Sequence, residues 1–220
     1  MSTFMNPAVI NCPEICSELT SDTSVQPYCF QNKTRLIMGQ YWLGKGAFPH
    51  EGGHAFIGAS STSLSFYVFM NDSHIFSHAT ADNQKMWTLG DVAEIFVKPG
   101  ESRDDYWEFH VTPNNFLMDI LITNRKDYTE GKISWSDVVS AKSYASKHVT
   151  VCEDFWTVSL NIPWKAFGHT ERPEPGSKWQ IAICRYNYSV SIDNSPELSS
   201  TAAFSTPGFH RYEEFTDLIF

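Results

Sequence analysis

At 220 residues, with 42% hydrophobic and 15% aromatic content, the chain has the size of one all-β domain, and a formal net charge of -9 excludes the basic stripe that neutralises a phosphate backbone. Nothing in it approaches the ~18 consecutive apolar residues of a membrane-crossing helix, so the reading is a soluble domain with neither a nucleic-acid nor a membrane partner. Seven Trp, nine Tyr and sixteen Phe favour strands and flat ligands.

Residues 1 to 30 are rich in Ser, Thr, Asn, Pro and acidic groups without a sustained period, and read as an irregular N-terminal arm ahead of a domain at 31–220. No Lys or Arg precedes Lys33 and no early apolar run has signal-peptide length. The compartment therefore stays open: extracellular or periplasmic if a leader has been trimmed, otherwise cytoplasmic. Cys12, Cys16, Cys29, Cys152 and Cys184 lack the paired spacing of a zinc site. Cys152 and Cys184 read as small buried residues, and a Cys12 to Cys16 pair stays open.

Strand signals dominate from Leu64 onward. The run Leu64 to Met70 is apolar nearly throughout and stops at Asn71-Asp72-Ser73, as a central strand does. Next, Asp91 to Lys98 ends at Pro99-Gly100, with Ala93, Ile95 and Val97 on one face and Val92, Glu94 and Phe96 on the other. Tyr106 to Thr112 alternates more cleanly: Trp107, Phe109 and Val111 point inward, and Tyr106, Glu108 and His110 outward. A hairpin joins these two strands. Further strands cover Phe155 to Ile162 and Lys178 to Tyr186, and between them Pro163 to Gly168 fits one helical turn. No long amphipathic helix and no repeat interrupts the pattern, which predicts a two-sheet antiparallel β-sandwich, immunoglobulin-like or jelly-roll-like, with short helical turns.

Three segments in order, Trp87-Thr88-Leu89-Gly90-Asp91-Val92-Ala93-Glu94-Ile95-Phe96, then Tyr106-Trp107-Glu108-Phe109, then Asn161-Ile162-Pro163-Trp164, resemble the family 9 carbohydrate-binding modules and their relatives. The ending Phe204-Ser205-Thr206-Pro207-Gly208-Phe209-His210-Arg211, with Glu214-Phe215 and Leu218-Ile219-Phe220, extends the resemblance over roughly residues 36 to 220. It implies a sandwich that takes the ends of sugar chains, accompanies polysaccharide-degrading enzymes such as glycoside hydrolases, and in some members holds structural calcium. No calcium ligand is placed on this chain, and no other cofactor is expected.

A sugar ring presents apolar C–H faces and a rim of hydroxyls, which calls for flat aromatic surface beside charged or amide groups. By resemblance Trp87 is one wall of a clamp, and Phe204 stands where relatives carry a second Trp. Glu94 would accept from adjacent hydroxyls. Arg185 would donate to hydroxyls or brace Glu94, with Tyr186 and Asn187 at the loop edge. His110 stands about where some relatives carry Arg. Trp107, Trp156, Trp164 and Trp179 lie on apolar faces and read as core.

Other chemistries have thinner support. Glu94 and Glu108 on adjacent strands could form a glycosidase pair. Met38, Met70, Met86 and Met118, with histidines, keep a haem-binding sandwich open, although no CxxCH motif is present. His74 and His78, near Asp72 and Asp82, read as a polar loop rather than a transition-metal site. A structural or interaction domain without sugar binding is the remaining alternative.

Overall fold

The computed structural model describes residues 6–15, 28–44 and 46–220. Among the described residues twelve strands form two packed sheets: β1 (Val9–Asn11), β2 (Leu36–Ile37), β3 (Gly53–Ala59), β4 (Ser63–Asn71), β5 (Val92–Lys98), β6 (Tyr106–Val111), β7 (Leu117–Ile122), β8 (Ser146–Val151), β9 (Phe155–Pro163), β10 (Lys178–Asn187), β11 (Glu197–Ser200) and β12 (Thr216–Ile219). The larger sheet runs β1-β12-β10-β5-β6-β7, with β11 pairing the second half of β10; the smaller runs β2-β3-β4-β9-β8. Two short helices, α1 (Arg125–Thr129) and α2 (Trp135–Val138), follow β7.

Alternation along the strands decides what each face meets. Leu64, Phe66, Val68 and Met70 of β4 pack between the sheets against Ala93, Ile95 and Val97 of β5 and Trp107, Phe109 and Val111 of β6. Each such side chain contributes about 1.5–3 kcal/mol by leaving water, which makes this layer the main source of stability. Trp107, Trp156, Trp164 and Trp179 all lie in it. The β5–β6 hairpin forms with Glu94 opposite His110, and Trp164–Phe167 makes one 3₁₀ turn closed by Gly168 in the left-handed conformation.

A second apolar cluster lies on the outer face of the larger sheet. Val92 and Phe96, Tyr106, Met118, Ile120 and Ile122, Ala182 and Cys184 meet residues of the loops and α2 folded over them. This covering layer explains why Tyr106, Glu108 and His110, outward by alternation, are buried all the same.

Part of the segment read as an irregular arm is built into the fold. β1 pairs in parallel with β12, Ile10 is buried in the main core, and Ile15 and Phe30 pack with Phe56 and Tyr67 on the outer face of the smaller sheet. The other strand pairings among the described residues are antiparallel, and Glu14 adds one isolated parallel bridge to Ala59. Cys12, Cys152 and Cys184 form no disulfide among the described residues, and Cys16 lies outside them. No helix among the described residues is long and apolar enough to cross a membrane.

Candidate functional site

Four neighbouring strands, β10, β5, β6 and β7, turn alternate side chains toward a cavity of about 210 Å³ between the larger sheet and its covering loops. Glu94 of β5 faces His110 of β6 across one pair and Cys184 of β10 across the other. Glu108 lies two residues before His110, on the same face, opposite Ile120 of β7. Glu94, Glu108 and His110 are 3%, 2% and 2% exposed, so three ionisable groups share a floor otherwise made by Ile120 and Ile122.

His110 sits between the two carboxylates. Its Nδ1 is 2.9 Å from Glu94 Oε1, and its Nε2 donates to Glu108 Oε2 at 3.3 Å. Glu108 Oε1 is 3.0 Å from Nδ1 of His210, which also lies 3.1 Å from the Tyr106 hydroxyl. For His110, Glu108 and His210 burial disfavours charge, yet attraction between them and their neighbours wins. Against burial, Glu94 and Glu108 hold the His110 imidazole up at about 9. Against burial again, His210 and His110 hold the Glu108 carboxyl down at about 2. His210 is likewise raised, burial opposing and Glu108 prevailing. At neutral pH the floor is thus an imidazolium flanked by carboxylate. Two buried atoms, Glu108 Oε1 and His110 Nδ1, have no aligned hydrogen-bond partner among the described residues.

Aromatic side chains wall the cavity. Trp87 meets Trp135 edge to face with ring centres 5.7 Å apart and lies 5.6 Å from the His110 ring. Tyr186 and Phe209 form another perpendicular pair at 5.7 Å, and Tyr128, Gly208 and His210 complete the lining. Each ring has a local anchor. The backbone carbonyl of Trp87, in a 3₁₀ turn at Met86–Thr88, accepts from the Tyr188 hydroxyl at 2.6 Å. Asn124 caps α1, its Oδ1 accepting from the Asp127 amide at 3.0 Å, and so places Tyr128. Asp137 accepts from the Ser134 amide at 2.8 Å and fixes the start of α2, where Trp135 stands.

Gly90 joins the Trp87 turn to β5 at a φ of 134°, and a Cβ there would lie 2.6 Å from the Phe76 carbonyl oxygen and 2.8 Å from Ser77 Cα. Both the dihedral and the backbone contact penalise a side chain. Gly90→Ala is expected to lower stability by ~1–3 kcal/mol or more, read as a fall in the thermal midpoint. An unchanged midpoint would show that the turn relaxes freely.

The residues anticipated from sequence divide into two groups. Trp87, Glu94, His110 and Tyr186 line the cavity together. Phe204 does not: it is 1% exposed and packs behind Phe209 and against Phe215, with ring centres 5.7 and 5.9 Å away. Its ring supports a lining residue instead of forming a wall.

Arg185 and Asn187 point to the other side of the sheet. Arg185 pairs with Ala93 and shares the inward face with Ile181 and Ile183, so it cannot reach Glu94. Its guanidinium is 0% exposed and ties the two sheets together at one end. Nη1 donates to the carbonyls of Asn71 (2.7 Å) and Glu51 (3.1 Å), and Nη2 to Asp72 Oδ2 (2.9 Å) and Asn187 Oδ1 (2.8 Å). Asn187 in turn donates to Glu51 at 2.8 Å. Arg185 and Asn187 therefore belong to a buried structural network.

That network also takes Asp72, which accepts from the Trp156 indole at 3.2 Å, while Asp82 accepts from the Leu117 amide at 2.7 Å. Both acids considered beside His74 and His78 are thus committed to the fold. Met38, Met70, Met86 and Met118 are fully buried in the two apolar clusters. Met118 lies opposite His110, but both His110 nitrogens face carboxylates. Sequence reasoning placed no site role on Glu108 beyond the glycosidase pair, and none on Trp135, Tyr128, Phe209 or His210. Glu108 shares the parity of His110 and was readable on that ground. The others lie in loops and short helices that carry no period.

No family model matches the sequence, and no curated protein matches it. Solved structures do share the fold. A candidate carbohydrate-binding protein from Bacteroides uniformis matches with a TM-score of 0.70 at 14% identity, over 96% of this chain and 98% of the other. A family 9 carbohydrate-binding module from Caldicellulosiruptor kristjanssonii matches in its glucose complex with a TM-score of 0.59 at 12% identity, over 95% and 94%. In its cellotriose complex the TM-score is 0.61 at 12% identity, over 95% and 92%. At these identities the likeness establishes the two-sheet fold over nearly the full length of each chain.

Proposed function

We propose that this chain is a noncatalytic carbohydrate-binding domain that takes a single sugar unit, or the end of a sugar chain, in the cavity over β5, β6 and β7. The observation that carries the reading is the combination of Trp87, Trp135, Tyr186 and Phe209 as walls with Glu94, Glu108 and His110 as floor. Rings supply apolar surface for C–H faces, and the ionised floor supplies strong hydrogen-bond partners for hydroxyls. A volume of about 210 Å³ lies below the ~300–1,000 Å³ of drug-sized ligand pockets, which favours one ring over a long segment. Solved complexes of a family 9 module of the same fold with glucose and with cellotriose support the choice of ligand class.

A glycosidase needs a carboxylic acid that keeps its proton near neutral pH. Glu108 is held at about 2, the opposite direction, which takes it out of the general-acid role. Association with a polysaccharide-degrading enzyme, and structural calcium, belong to the same proposal.

Isothermal titration against gluco-, xylo-, galacto- and manno-oligosaccharides, with calcium and with chelator, tests it. Saturable heat is expected for at least one sugar. Trp87→Ala and Trp135→Ala are each expected to lose about tenfold or more in affinity while remaining folded. Silence across the panel from a folded protein, or full affinity in both variants, would remove the sugar site and favour a structural or interaction domain.

A further inference from the structure

We infer that the cavity selects sugars carrying a free amino group and rejects uronic acids, because its lining holds two carboxylates and neither lysine nor arginine. The inference rests on the sugar-binding reading and specifies the ligand class of that site.

Among the lining residues the charged groups are Glu94, Glu108, His110 and His210. Nearby cations touch lining residues from outside the cavity, and Arg125 donates to the His210 carbonyl at 2.9 Å. The Arg125 guanidinium lies 4.0 Å over the Tyr212 ring and pairs with Glu213, and the Lys85 ammonium sits 5.3 Å from the Trp135 ring. Two carboxylates therefore face one enclosed imidazolium, and the second histidine, His210, stands at the mouth with its side chain 60% exposed. Glu108 Oε1 is the telling atom. Like His110 Nδ1 it is buried in the lining without an aligned hydrogen-bond partner among the described residues, but His110 Nδ1 faces Glu94 Oε1 at 2.9 Å within the floor, whereas Glu108 Oε1 faces the half-open side where the exposed His210 stands.

A carboxylate oxygen is an acceptor only, so the group that satisfies it must donate. A hydroxyl brings one neutral donor. An ammonium brings three, together with a charge that converts the contact into an ion pair. A uronic acid sets a third carboxylate against the two already present, and burial amplifies that repulsion. His210 contacts Glu108 Oε1 from the solvent side at 3.0 Å, and an incoming amine would share or replace that contact.

The test is calorimetric titration at neutral pH with glucose, its 2-amino, 3-amino and 6-amino deoxy forms, the N-acetylated form of the 2-amino sugar, and glucuronic acid. At least one amino sugar is expected to bind roughly tenfold more tightly than glucose, the gain from one charge-assisted hydrogen bond. The position of its amine then reports the orientation of the ring. Glucuronic acid is expected to give no saturable heat, and acetylation, which removes the charge, is expected to abolish any gain seen with the 2-amino sugar. Glu108→Gln is expected to bring the favoured amino sugar back to the affinity of glucose. The acetylated and acidic ligands keep the test decisive if that variant does not fold. Glucose binding with no gain from any amine, or glucuronic acid binding as well as glucose, overturns this inference and leaves the sugar site standing. Silence toward every ligand here overturns this inference, and silence across the four oligosaccharide series as well overturns both.

Discussion

Arg185→Met is expected to cost about 3–5 kcal/mol of stability, the usual range for removing one partner of a buried ion pair, without weakening the affinity of the folded protein for its sugar. Asp72, 1% exposed, would lose the Nη2 donor at 2.9 Å and keep the Trp156 indole and the His74 amide. Asp91 lies in the same field: burial first, and Asp72 second, push its carboxyl up to about 7, with Arg185 among the groups opposing them. Loss of the guanidinium therefore leaves buried negative charge without its cation, and four hydrogen bonds disappear with it, three of them reaching from β10 to Glu51, Asn71 and Asp72. In a chain of this size each kcal/mol moves the thermal midpoint by about 2–4 °C, so a fall of roughly 10 °C is expected. Adding Asp72→Asn should recover part of the loss, because the orphaned charge is then absent. Thermal and denaturant unfolding of the single and double variants, with sugar titration on the folded single variant, checks both halves. Wild-type stability would remove the structural role; lost affinity at wild-type stability would return Arg185 to the site.

This outcome was partly readable beforehand. Ile181, Ile183 and Arg185 share parity on one strand, and parity alone puts the guanidinium inside with the isoleucines rather than beside Glu94. The same rule correctly placed Trp107, Phe109 and Val111 between the sheets and Glu94, Glu108 and His110 on the opposite face. Periodicity could not show what covers that face. Trp135 stands on a four-residue helix, too short for a helical period, and Phe209 and His210 lie in irregular chain. Phe204 lies in irregular chain, where no local pattern tells a wall from a support. The parallel pairing of β1 with β12 joins the two ends of the chain, a contact that neither segment's residues encode by themselves.

His110→Leu should be the most damaging single change in the site, and its cost should depend on pH in a bell-shaped way. With the imidazole gone, Glu94 and Glu108 would share a dry floor with no enclosed cation, and only His210 at the mouth would face Glu108. At mildly acidic to neutral pH the expected loss is again about 3–5 kcal/mol. The sign follows from the wild-type shifts. His110 is raised from 6.5 to about 9, so its stabilisation is complete below 6.5 and is lost as pH rises through 9. Glu108 is lowered from 4.5 to about 2, so its stabilisation is complete above 4.5 and is lost as pH falls through 2. Each shift corresponds to about 3 kcal/mol, but the two describe largely the same contacts and do not add. Asp91 runs the other way, losing stability as pH rises from 3.8 toward 7. Taking the difference between wild type and variant at each pH cancels that distant titration and isolates the cluster. Denaturant unfolding from mildly acid to alkaline pH should show this difference largest between 4.5 and 6.5, shrinking on both sides. Glu94→Gln in the same chain should restore much of the loss by removing one of the two opposed charges. A difference that stays flat across that range would mean His110 acts by packing against Trp87 and Phe96, and the ionised floor on which both the sugar site and its preference for an amine depend would have to be abandoned.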